Sequence, residues 1–127
     1  MKYQVKKEEK YSLLTLEEEK LDSTISPDIK SVFQQVHLEG PRNIIVDLSS
    51  VKYSDSSGLS ALLVGNRLFN DQQGAFVLAA VSDHVMKLIK ISMLDKVLDI
   101  LPTVKESIDA VLFHEMEAEL NKENDEE

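Results

Sequence analysis

Two short apolar runs constrain this chain more than anything else in it: Ile44-Ile45-Val46-Asp47-Leu48 and Ala75-Phe76-Val77-Leu78-Ala79-Ala80-Val81. Neither alternates polar with apolar residues, so each predicts a strand covered on both faces, and such strands belong to α/β sheets. Between them the periodicity turns helical. Leu59, Leu62, Leu63 and Phe69 make a broad apolar arc from Ser57 to Asn70, and Asp71-Gln72-Gln73-Gly74 closes the helix with a C-terminal glycine.

The rest of the chain extends that alternation. Tyr3-Gln4-Val5-Lys6 and Tyr11-Ser12-Leu13-Leu14-Thr15-Leu16 flank a charged turn and predict a hairpin whose second strand is the more buried. Ser26-Pro27-Asp28 predicts a helix start with Ser26 as the capping hydroxyl; Ile25, Ile29, Val32, Phe33 and Val36 follow at helical spacing, and Gly40-Pro41 ends it. Ser82-Asp83 opens a short helix carrying Val85, Leu88 and Ile89, and Lys96 to Leu101 predicts an edge strand. Thr103-Val104-Lys105-Glu106 matches a capping box, with Val104, Ile108, Val111 and Leu112 expected to face inward. The order ββαβαβαβα argues for right-handed crossovers and a mostly parallel mixed sheet of about five strands flanked by helices. Residues 1–118 form one α/β domain, and the acidic stretch 119–127 is expected to be disordered and, from Asn121, dispensable.

Charge and composition exclude several classes. The formal net charge is −9, and seven of the thirteen residues from Glu115 to Glu127 are acidic. A phosphate backbone needs a basic face, so nucleic acid is not an expected partner; a basic protein fits the charge better, and most of the acids read as solvated surface. The absence of cysteine rules out disulfides and thiolate chemistry and fits a cytoplasmic setting. The first residues have no apolar core of a leader, and no apolar run approaches a membrane span, so no membrane insertion is expected. His37, His84 and His114 are scattered without ligand spacing, which predicts no metal, and no glycine pattern marks a nucleotide cofactor.

What remains is Asp55-Ser56-Ser57-Gly58, where the first buried strand gives way to the central helix. A nucleophile elbow would need glycine where Ser54 stands, together with a placed histidine. A receiver domain would take Asp47 or Asp55 as its phosphoacceptor but would not open with a hairpin. Catalysis is therefore not expected, and Ser56 and Ser57 are left as a helix cap or a modified one. Asn66 and Arg67, between apolar positions of the following helix, suggest a side left open for a partner.

Asp55-Ser56-Ser57-Gly58-Leu59 at a strand–helix junction resembles the signature of the STAS domain of bacterial anti-sigma factor antagonists. Leu21-Asp22, Asp47-Leu48, Gly74 and the element order are similar as well. The resemblance implies that Ser56, directly after the aspartate, is phosphorylated by a serine kinase that is also the anti-sigma factor, and that a phosphatase resets it. It implies a partner surface of Asp22, Asp55, Ser56, Ser57 and Gly58, with partner switching regulating transcription. Some similar domains are instead subunits of ABC-type lipid transport complexes, gripping the ATPase without phosphorylation. Three features depart from the pattern: Ser54 where a bulky apolar residue is common, Met93 where a glycine is usual, and the acidic extension. For Gly58 a further expectation follows: given a negative φ, Gly58→Ala should fold at least as stably as the parent while binding the partner less well.

Overall fold

The computed structural model describes residues 1–125. Five strands, β1 (Tyr3–Lys7), β2 (Ser12–Leu16), β4 (Ile44–Asp47), β6 (Phe76–Ala79) and β7 (Asp99–Leu101), form one sheet in the order β1-β2-β4-β6-β7. The β1–β2 hairpin is antiparallel and every other pairing is parallel. Helices α1 (Ser26–Glu39), α2 (Ser56–Asn70) and α3 (Asp83–Ile91) are the crossovers, and α4 (Val104–Asp125) follows the last strand. Each parallel strand is added on the same side of the one before it. Crossovers of one hand therefore fall on one face of the sheet.

That topology divides the core in two. Leu14, Leu16, Ile44, Val46, Phe76 and Leu78 turn toward Ile29 and Phe33 of α1, Leu62 and Phe69 of α2, and Val85 and Ile89 of α3. Their neighbours Ile45, Val77 and Ala79 point the other way, against Val111 of α4. The period of two along a strand makes this split, and α4 alone covers the second face.

Several local expectations are corrected. Ser26 is not the cap of α1; it lies inside the helix, and its hydroxyl donates to the Asp22 carbonyl at 2.7 Å. The cap of α2 is the Asp55 carboxylate, which accepts from the Gly58 amide at 2.9 Å, so neither Ser56 nor Ser57 has that duty. Asn66 is buried and offers nothing to a partner. The left-handed residue after α2 is Gln73, with φ 62°, while Gly74 is needed because a Cβ would strike the Arg42 carbonyl. Only Asp99–Leu101 of the predicted edge strand pairs; Leu94–Lys96 is a 3-10 turn, entered through Met93 at φ 61°.

In α4 Ser107, Val111 and Glu115 are buried and Val104 and Ile108 pack beside them as expected, whereas Leu112 is turned out. Positions 104, 108, 111 and 115 share one face at 3.6 residues per turn, and 112 lies off it. Nor does order end at Ala118: α4 continues to Asp125, and Glu126 and Glu127 lie outside the described residues. Glu, Ala, Leu and Lys are strong helix formers, and an existing helix extends without a new nucleus. Lys10 on the hairpin pairs with Glu119 at 3.2 Å.

Candidate functional site

The site is assembled by two strands too short to have a period. β3 (Lys20–Leu21) and β5 (Tyr53–Ser54) pair in parallel, Lys20 opposite Tyr53 and Leu21 opposite Ser54. The chain leaves β4 through a turn in which Asp47 Oδ1 accepts from the Ser49 amide at 3.0 Å. Val51, buried, seats the turn in the core, and the Lys52 amide donates to the Glu19 carbonyl at 2.7 Å. Two distant loops are thereby stitched side by side at one end of the sheet.

The Leu21 carbonyl is the centre of the stitch. It accepts from the Ser54 hydroxyl at 2.9 Å and the Asp55 amide at 3.3 Å. Gly58 lies against the same carbonyl; a Cβ there would meet Leu21 O and Ser54 Oγ, with Leu21 C at 2.8 Å. Its φ is not positive. Close approach, not backbone conformation, is what demands glycine. The expectation that alanine fits at 58 fails on this contact, and Gly58 is buried and presents no surface to a partner. Ser54 has its own reason: its hydroxyl satisfies an inward-facing carbonyl that a bulky apolar side chain would leave with one partner fewer.

Asp55 joins the loops a second time. Its Oδ1 caps α2, and its Oδ2 accepts from the Ser23 amide at 3.3 Å. Asp22, next to Ser23, folds its carboxylate back onto Thr24, accepting from the hydroxyl at 2.5 Å and the amide at 3.0 Å. The Thr24 hydroxyl, reinforced by the Thr24 amide, holds the Asp22 carboxyl below its ordinary value. Both carboxylates are thus anchored by donors of the two loops.

Ser56 is the first residue of α2 and is exposed; Ser57 is half-buried. Beside them an open groove runs between the starts of α1 and α2, lined by Ser23, Ser26, Pro27, Lys30, Ser56, Ser57 and Ser60. Tyr53, 53% exposed, faces α3 instead, its ring edge-on to His84 with centroids 5.5 Å apart. Asp22, Asp55, Ser56, Ser57 and Gly58 therefore do come together, but in different capacities: Gly58 and Asp55 hold the geometry, and Ser56 faces outward. Sequence reading missed Ser54, Thr24 and Lys30. Lys30 stands four residues from Ser26 on one helical face, but which neighbour that face meets is a tertiary fact. Among the described residues there is no cluster of His, Asp or Glu fit for a metal and no helix long and apolar enough to cross a membrane.

A stitched turn, an exposed hydroxyl at a helix N-terminus and a mostly parallel sheet behind it make up a small α/β module. The STAS domain model matches residues 2–107, and the chain belongs to the STAS domain family. A Staphylococcus aureus relative named anti-sigma-B factor antagonist is 29% identical over 72 residues, covering 57% of this chain and 67% of its own. The anti-sigma factor antagonist SpoIIAA has the same fold in its unphosphorylated form, at TM-score 0.72 and 23% identity, over 87% of this chain and 96% of its own. The phosphorylated form from Bacillus gives TM-score 0.66 at 21% identity, over 87% and 99%. The fold also occurs within the murine anion transporter Slc26a9, at TM-score 0.67 and 19% identity, over 84% of this chain and 18% of that one.

Proposed function

We propose that this chain is a cytoplasmic anti-sigma factor antagonist that works by partner switching, with Ser56 as its phosphoacceptor. One observation carries the reading: Ser56 is the exposed hydroxyl at the head of α2, on a turn whose other groups are committed to holding it there. The S. aureus relative's name supports it, as do the two phosphorylation forms in which SpoIIAA is known.

Unmodified, the surface around the Asp22 loop, Ser56 and the start of α2 binds a serine kinase that is also an anti-sigma factor, releasing the sigma factor. Phosphorylation adds roughly −1.5 to −2 charges at pH 7 to a surface that already has Asp22 and Asp55. A penalty of ~3 kcal/mol would lower affinity more than a hundredfold. The scaffold need not move, because the new charge arises in the contact itself. A phosphatase returns the protein to its binding form.

With the cognate kinase and ATP, Ser57→Ala should be phosphorylated and Ser56→Ala should not; phosphate on the Ser56→Ala protein would overturn the assignment. A second reading is that the same face grips the ATPase of an ABC-type transport complex without phosphorylation; the fold does occur within a transport protein, Slc26a9. Under that reading, protein recovered from its own cells carries no phosphate on Ser56 in any growth phase.

A further inference from the structure

We infer that Lys30 is the counter-ion of a phosphoserine at position 56, so that the modified side chain lies in the groove between α1 and α2. The inference rests on the phosphoacceptor reading above and adds where the phosphate goes. Ser56 begins α2, and Ser60 follows four residues on, on the same helical face. Lys30 stands in the first turns of α1, and its side chain lines the groove that Ser56 and Ser60 line from the other wall. It is half-buried, so part of its aliphatic stem packs along the groove wall while the ammonium stays within reach of it.

The surrounding charges give the phosphate a direction. Asp55 and Asp22 stand on the loop side of Ser56, their carboxylates fixed by the Ser23, Gly58 and Thr24 donors. Both repel a phosphoryl group. Lys30, on the groove wall, attracts it and makes no ion pair among the described residues, whereas Lys52 pairs with Glu19 at 3.4 Å. The Ser57 and Ser60 hydroxyls add neutral donors along the path. A phosphoserine oxygen and an ammonium make a charge-assisted hydrogen bond, stronger than the neutral contacts it displaces. Phosphorylation on this account does two things to a docking partner. It fills the groove, and it withdraws the groove's cation.

The test uses phosphoserine placed at position 56 during synthesis of the full chain, so it is independent of any kinase. Titration of the phosphate by phosphorus NMR should give a second pKa about half a pH unit higher in Lys30→Gln than in the parent. Lys30→Arg should stay near the parent. Lys52→Gln, which removes the same net charge elsewhere, should not reproduce the increase, and the Lys30 effect should shrink at about 0.5 M salt. In the unsubstituted protein, the Lys30 13Cε resonance should titrate with the phosphate, a reading that needs no variant. Equal phosphate pKa values in parent and Lys30→Gln, or an equal change in Lys52→Gln, would overturn the inference. Failure to find phosphate on Ser56 in cells would remove the proposed function and leave this result standing.

Discussion

At the scale of single residues, the Leu21 carbonyl, the Asp55 carboxylate and the bare Cα of Gly58 carry the site between them, and the serine that faces outward does none of that work. The carbonyl accepts from Ser54 and Asp55, the carboxylate bridges Ser23 and Gly58, and Gly58 lets α2 start in contact with β3. Gly58→Ala is the direct probe. Alanine's intrinsic advantage in a helix is about 0.5–1 kcal/mol, but forcing a methyl against a backbone carbonyl costs about 1–3 kcal/mol. The Leu21 carbonyl cannot step aside without breaking the β3–β5 pairing, so the cost should win. We expect a melting temperature lower by roughly 3–8 °C. An unchanged melt would mean that the two loops are less tightly joined than the contact requires.

At the scale of elements, α4 is held to the sheet by one charged side chain as much as by apolar ones. Glu115, with its side chain 12% exposed, accepts from Arg42 Nε at 2.7 Å and Nη2 at 3.1 Å and from Asn43 Nδ2 at 2.7 Å. Asn43, fully buried, also donates to the Lys10 carbonyl at 2.8 Å and accepts from the Ala75 amide at 2.8 Å. The Arg42 guanidinium holds the Glu115 carboxyl below its ordinary value of 4.5, against the opposing effect of burial. A carboxyl with a depressed pKa stabilises the fold fully above its unfolded value, and that contribution is lost as pH falls through the folded value. Glu115→Gln should therefore cost about 1–2 kcal/mol at neutral pH, and the difference from the parent should close as pH falls below about 4.5. Denaturant melts of both proteins from pH 7 to pH 3 check this; a difference independent of pH would refute it. The same element explains a misreading. An acid at 115 looks solvent-facing in a pattern of apolar spacing, because its partner is in another element at Arg42, and apolar spacing alone points to Leu112 instead.

Across the whole molecule, what was legible followed from periodicity and what was not depended on contacts distant in sequence. Continuous apolar strands and amphipathic helices prescribed the element order, and the Asp-Ser-Ser-Gly junction marked the site. Two-residue strands have no period, so the β3–β5 stitch left no trace. A left-handed Met93 could be suspected only from the glycine it replaces. The far end of α4 is polar enough to resemble a disordered tail yet is helical to Asp125, and the STAS match stops at residue 107, partway along that unbroken helix. That mismatch allows a test of where the folding unit ends. A chain cut after Leu120 keeps Val111, Glu115 and the Lys10–Glu119 pair and loses only residues whose described side chains are exposed. It should melt within about 2 °C of the parent. A chain cut after Ser107 loses the Val111 side chain, which is 0% exposed, and the whole Glu115 network, and it uncovers Ile45, Val77 and Ala79. Burying a valine is worth about 1.5–3 kcal/mol, and a buried polar network left without its acid loses a similar amount. The shorter chain should thus lose more than about 3 kcal/mol and bind hydrophobic dyes or self-associate through the bared sheet face, as thermal melts and size-exclusion chromatography would show. If it melted with the parent, α4 would be an appendage and the second face of the sheet would need no cover.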